Sequence, residues 1–173
     1  MIDSGPVQID VRRIAPTDWA VLKATRLDAL ADSPFAFGST YDEEVTRSDE
    51  EWLERARLAA AGPARSMFLA RTGQRVVGLA GGYREDDQPS SVELVSMWTS
   101  PEVRRSGAGR LLVSAVVRWA ADTNAASVGL WVTRGNEPAQ RLYETMGFRV
   151  TGDFQPLPSD PCADEVRMLL DLD

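Results

Sequence analysis

Apolar and polar residues alternate over residues 7–14 and read as a strand. Ala15-Pro16-Thr17 is a turn, and Thr17 is expected to cap a helix over residues 18–30, with Trp19, Leu22, Leu27 and Leu30 near one face. Residues 33–41 form an aromatic connector punctuated by proline and glycine. Ser48 followed by Glu51 has the spacing of a capping box and opens a second helix to about Ala60, which Gly62-Pro63 ends. A meander follows: strands over 66–71 and 75–83 joined by a turn at Thr72-Gly73-Gln74, a polar loop over 84–90, and a strand over 91–99 apolar enough for burial on both faces. The pattern then predicts a helix over 107–123 with Leu111, Leu112, Ala115, Val116 and Trp119 on its core face, and a buried strand over 127–132. A helix over 138–146 opens with proline in its first turn. Strands over 148–154 and 166–172 close the chain across a proline-rich loop, 155–164, and their exposed edges could pair across a homodimer.

Helices inserted singly among strands imply a mixed α/β layer fold with one central, mostly antiparallel sheet. The strand–helix–strand unit over 91–132 reads as a βαβ crossover, so its two strands should run parallel. The 173 residues, 43% hydrophobic, suit one domain spanning 1–173. No apolar run is long enough for a membrane span, and the first ten residues lack the apolar core of a signal peptide. A lone cysteine, Cys162, points to a reducing cytoplasm. The net charge of −7 argues against nucleic-acid or anionic-membrane partners. With no histidine, serine–histidine hydrolysis, cysteine–histidine chemistry and histidine metal sites are excluded, and no metal is expected. A general base must then be a carboxylate, a tyrosine, a water they hold, or a backbone group.

Two motifs carry chemistry. Arg104-Arg105-Ser106-Gly107-Ala108-Gly109 lies between the 91–99 strand and the following helix. Unpartnered amides at a helix N-terminus bind anions, two glycines let the backbone approach closely, and Arg104, Arg105 and Arg110 add charge. The glycine spacing fits neither a P-loop nor a dinucleotide fingerprint. The second motif is Asn136-Glu137-Pro138-Ala139-Gln140-Arg141-Leu142-Tyr143-Glu144-Thr145-Met146-Gly147-Phe148.

The run from Leu94 to Gly109 resembles the acyl-CoA signature of the GNAT superfamily of N-acetyltransferases, with Thr99 where valine is common and Ser106 where glycine is frequent. The second run resembles that superfamily's other signature, N-x-x-A-x-x-L-Y-x-x-x-G-F, at every defined position. The resemblance implies the GNAT acyl-CoA N-acyltransferase fold, with acetyl-CoA as cosubstrate. The pyrophosphate would rest on the amides of residues 105–110 (Arg105, Ser106, Gly107, Ala108, Gly109, Arg110). The pantetheine arm would pair with the Met97-Trp98-Thr99 backbone where two central strands splay, with Asn136 near the mouth and a backbone N–H polarising the thioester. Tyr143 matches the family's general acid, and Glu93 stands where a glutamate often deprotonates the amine through water. Asp86, Asp87 and Glu137 are alternative bases. Phe35, Phe37, Tyr41 and Trp52 could line an acceptor site, or simply pack the core. The acidic stretch Asp42, Glu43, Glu44, Asp49, Glu50 and Glu51 could attract a cationic amine, or merely solvate helix starts.

The resulting expectation is acetyl transfer from acetyl-CoA to a primary amine by direct attack in a ternary complex. A small-molecule acceptor is preferred over a protein, because no tail or added domain for docking a large partner is evident. Protein or peptide acetylation, a non-catalytic acyl-CoA sensor and a nucleotide-binding protein are the competing readings.

Overall fold

The computed structural model describes residues 8–172. The expected strand over 7–14 is β1 (Asp10–Arg13); Val7 lies outside the described residues. It is followed by α1 (Trp19–Asp32), the short α2 (Tyr41–Val45), α3 (Asp49–Ala60), β2 (Arg65–Thr72), β3 (Arg75–Tyr83) and β4 (Ser91–Thr99). Then come α4 (Ala108–Asp122), β5 (Ser127–Thr133), α5 (Glu137–Thr145), β6 (Arg149–Leu157) and β7 (Asp160–Asp171). Seven strands form one sheet in the order β1-β2-β3-β4-β5-β7-β6. Among the described residues only β4 and β5 pair in parallel, as the crossover α4 requires.

Apolar residues on the two faces of the sheet build two cores. On one face, Val92, Leu94, Val128, Leu130 and Met168 meet α4 and α5 through Leu112, Val116, Trp119, Tyr143 and Phe148. On the other, Leu69, Leu79 and Trp98 meet α1 and α3 through Leu22, Leu30, Trp52 and Ala56. The helices of the second face contact β2, β3 and β4; among the described residues the β5-β7-β6 half of that face has no α-helix packed on it, only the 3-10 turn Pro34–Ala36 against β5.

Several expectations change. Thr17 does not cap α1. It lies in a 3-10 turn, Pro16–Asp18, and the Asp18 carboxylate ties the turn by accepting from the Ala15 amide at 2.8 Å. Leu111 is 45% exposed; its neighbour Leu112 takes the core-facing position. β4 is not buried on both faces. A bulge near Ser96 changes its phase, so that Leu94 joins the α4 core while Trp98 joins the α1 core. The 155–164 segment is not a loop: β6 and β7 continue through it and reverse over Pro158-Ser159, with Leu157 paired to Asp160. β7 is interior, so of the last two strands only β6 is an edge. The Ser48–Glu51 capping box forms as expected.

Candidate active site

β4 and β5 pair only at Ser91–Ser127, Val92–Val128 and Glu93–Gly129. Beyond Glu93 both strands continue without pairing to each other, so a wedge opens between them, with one edge of β4 facing it from residue 94 to 99. Within that stretch Ser96 has a φ of 56°, a left-handed conformation uncommon for a residue with a Cβ. The register jumps there, from Gly81–Val95 to Leu79–Trp98, which turns the backbone of Ser96 and Met97 off the β3 ladder. The Ser96 hydroxyl accepts from Arg26 at 3.3 Å.

At the mouth of the wedge the chain turns into α4. Arg105 has a φ of 63° and Gly107, the N-cap, a φ of 93°. Among the described residues, no acceptor is bonded to the amides of Arg105, Gly107, Ala108, Gly109 or Arg110; the Ser106 amide donates to Val103 at 3.2 Å. Free amides on successive residues of alternating hand form a concave anion nest, and the positive end of the helix dipole adds to it. The Arg105 and Arg110 guanidinia are free of ion pairs among the described residues, whereas Arg104 is occupied by Asp32 and the Thr99 carbonyl. Asp32 also accepts from the Trp98 indole at 2.8 Å, which fixes the end of β4 to α1. Gly109 sits where α4, β4 and α5 converge: a Cβ there would lie 3.1 Å from both Met97 and Leu142.

α5 carries the second motif. The Asn136 side chain caps it by accepting from the Ala139 amide at 3.4 Å. Tyr143 is 6% exposed and tilts against Phe148 at 5.7 Å between ring centroids. Burial pushes its phenol well above the ordinary value, so it keeps its proton throughout the neutral range.

Glu93 is not free. Both of its oxygens accept from Arg167 of β7 at 2.5 Å, and Arg167 also lies 5.3 Å from the Trp131 ring centroid. The arginine reaches Glu93 by crossing Gly129, where a Cβ would come within 2.2 Å of the guanidinium. The pairing raises the pKa of Arg167, its hydrogen bond to Glu93 being the largest cause. Of the alternative bases, Asp86 and Asp87 lie in an exposed loop and Glu137 pairs with Arg141 at 2.7 Å on the α5 surface.

The connector over residues 33–40 is tied to the end of β5 and to the β6–β7 turn. Thr133 donates to the Phe35 carbonyl at 2.6 Å, and Ser159 donates to the Phe37 carbonyl at 2.5 Å. Phe35 is 54% exposed and Tyr41 is exposed on α2. Phe37 and Trp52 are core residues, and Phe37 lies 4.4 Å from the Arg26 guanidinium. Of the acidic stretch, Glu44 is buried, with Arg26, Arg47, Arg55 and Ser39 around its carboxylate. Burial opposes its ionisation, but Arg55, Ser39 and Arg26 outweigh that and hold its pKa below the ordinary value. Cys162 is exposed and unpaired, and among the described residues no group of three or more histidine, cysteine or acidic side chains could hold a metal.

Sequence reading missed Arg167, Trp131, Gln155 and Glu165. The only available signal was strand alternation, which puts them on one face of β5, β7 and β6 once the strand order is known.

A model of the acetyltransferase (GNAT) family matches residues 26–148. An uncharacterized N-acetyltransferase of Mycobacterium tuberculosis is 37% identical over 102 residues, which cover 58% of this chain and 64% of that protein, so the match spans less than two thirds of the relative's length. The structure of yncA from Salmonella typhimurium with its cofactor acetyl-CoA superposes with a TM-score of 0.76 at 20% identity, covering 96% of this chain and 95% of the other. Spermidine N-acetyltransferase from Vibrio cholerae, in complex with CoA and spermine, superposes with a TM-score of 0.74 at 19% identity, covering 95% of each chain. A family model that takes in the connector, the wedge, the anion nest and the Asn136–Phe148 motif shows that this chain belongs to the GNAT family of acetyltransferases.

Proposed function

We propose that the chain transfers acetyl from acetyl-CoA to the primary amine of a small molecule by direct attack in a ternary complex. One observation carries this reading: the β4–β5 pairing stops at Glu93–Gly129, and the wedge this opens runs along β4 to an N-terminal anion nest at α4. A thioester on a long amide-bearing arm ending in a pyrophosphate suits both parts at once. The nest takes the charged end, helped by Arg105 and Arg110, and the free edge of β4 at Met97 and Thr99 pairs with the arm. A bare nucleotide would use the nest and leave the wedge unexplained.

Acetyl-CoA, when bound, supplies the activated acyl group; the chain's residues do the rest. An amide of the bulged Ser96–Met97 segment polarises the carbonyl, and Tyr143 donates to the departing thiolate, for which a phenol that stays protonated at neutral pH is suited. Asn136 has spent its side-chain carbonyl on the helix cap and keeps its amide hydrogens for the mouth of the wedge. Glu93, clamped by Arg167, serves in this reading to orient that guanidinium.

The acceptor side would be formed by Trp131 and Glu165, which the register puts on one face of β5 and β7, with Phe35 of the connector tied beside them through Thr133. The spermine complex of the Vibrio cholerae protein provides a precedent for a small-amine acceptor on the same fold. The test is steady-state kinetics with both substrates varied. Intersecting double-reciprocal lines are expected; parallel lines with a trapped acetyl-enzyme would contradict direct attack.

A further inference from the structure

On the face of the sheet that no α-helix covers, the carboxylates Glu93 and Glu165 stand in opposite circumstances. The register pairs Thr133 of β5 with Glu165 of β7, Glu165 with Gln155 of β6, and Trp131 with Arg167, so these side chains share that face with Glu93 and Gly129. Glu93 is fully neutralised by Arg167. Glu165 is 8% exposed and has one hydrogen bond among the described residues, from Gln155 Nε2 to its Oε1 at 2.6 Å. Its Oε2 accepts from no described residue, yet is not among the polar atoms sealed from solvent, so it opens onto the face. Arg167, the cation two residues along β7, is spent on Glu93. On this face β5 offers only Ser127, Gly129, Trp131 and Thr133, none of them titratable; the β6 residue paired with Glu165 is the neutral Gln155, and Arg149, further along β6, is spent on Asp171 of β7 at 2.5 Å. The connector brings no charge either, only the Phe35 carbonyl, through Thr133.

A carboxylate hidden without a counter-charge is costly to a resting protein. Burial pushes its pKa above the ordinary value, against the pull of Gln155. Its position explains that cost. Counting along the parallel pair from Glu93–Gly129, Thr133 stands level with Met97, next to the bulge. Glu165 pairs with Thr133, so it stands one strand spacing beyond β5 on the side away from β4, next to the wedge where the acyl group would lie.

We infer that Glu165 is the carboxylate that receives the acceptor's primary ammonium group and takes its proton, with Trp131 and Phe35 flanking the adjoining carbon chain. This rests on the acetyl-transfer reading above. An ammonium supplies the missing charge and up to three donors to the open Oε2. One ammonium proton passes to Glu165, and the freed lone pair forms the C–N bond as the C–S bond breaks. The sulfur keeps that electron pair and takes the Tyr143 proton, and Tyr143 is restored by the second proton shed from nitrogen. The balance is an amide, a thiol and one proton on Glu165, lost to solvent.

The test is kcat/KM for the acceptor against pH, with acetyl-CoA binding measured by calorimetry, in wild type, Glu165→Gln and Glu165→Asp. The wild type should lose kcat/KM on the acid side with unit slope. Glu165→Gln should fall by about 100-fold or more and lose that limb while binding acetyl-CoA as before, and Glu165→Asp should recover part of the rate. A glutamine variant with wild-type rate and limb overturns the inference. If that variant does not fold, an aspartate variant with unchanged rate and limb does so instead. Wild-type protein that releases no thiol with any amine or peptide overturns the acetyl-transfer reading, and this inference with it.

Discussion

Tyr143 is held in α5 against Phe148 with its proton fixed by burial, so in the proposed reaction it would act by donating that proton rather than by binding. Tyr143→Phe should lower kcat by about 10²–10⁴-fold and leave the acetyl-CoA Kd nearly unchanged; an unchanged kcat would remove Tyr143 from the chemistry. Glu165 makes a prediction of the opposite kind. Its raised pKa means that its stabilising contribution is complete below the unfolded value of 4.5 and is lost as pH rises through the folded value. Glu165→Gln, which mimics the protonated form, should therefore raise Tm at pH 8, by about 2–4 °C for each kcal/mol relieved, and gain almost nothing at pH 4. A Tm that falls at pH 8 would contradict the uncompensated state of this carboxylate. The second motif was legible in the sequence because each defined position has a local task. Asn136 caps, Ala139, Leu142 and Tyr143 form the packed face of α5, Gly147 takes a φ of 94°, and Phe148 packs on Tyr143. Glu165 was not legible, because its significance depends on partners from β5 and β6 that no local pattern announces.

At the scale of elements, the turn into α4 is the most constrained. Gly107 sits at a φ of 93° with nothing within 4 Å of where a Cβ would stand, so conformation, not space, demands glycine. Gly107→Ala should cost about 1–2 kcal/mol of stability and weaken acetyl-CoA binding at least tenfold, measured by denaturant unfolding and calorimetry. Unaltered binding would separate the nest from the cofactor. Strand and helix periodicity located nearly every element, and the boundaries of β3 and β4 matched. The misreading of residues 155–164 has a physical cause. Proline lacks an amide hydrogen and so reads as a breaker, but Pro156 lies on β6, an edge strand with one unpartnered side where that loss costs little. The phase change in β4 was equally hidden, since a bulge at a serine leaves no trace in hydropathy.

For the molecule as a whole, the buried Glu44 carboxylate links α1, α2 and α3 through Arg26, Arg47 and Arg55, and Arg26 in turn reaches Ser96 at the bulge. Burial lowers the pKa of Arg26 to about 10, so the arginine remains charged at neutral pH. Glu44 has a depressed pKa, and so does Asp18, chiefly through its hydrogen bond from Arg12. Both contribute stability that is present above their unfolded values of 4.5 and 3.8 and is lost as pH falls through the folded values. Glu44→Gln should destabilise by about 3–5 kcal/mol at pH 7, since it leaves buried arginine charge unmatched. Its deficit relative to wild type should shrink in acid, and a deficit that grows in acid would contradict this assignment.

The central claim is that the wedge and the nest serve acetyl transfer to a small amine. It is tested most directly by thiol release from acetyl-CoA across matched panels of small amines and peptides. Release that depends on small primary amines is predicted. Release that depends only on peptides would contradict the acceptor class, and firm acetyl-CoA binding with no release for any acceptor would contradict transfer itself.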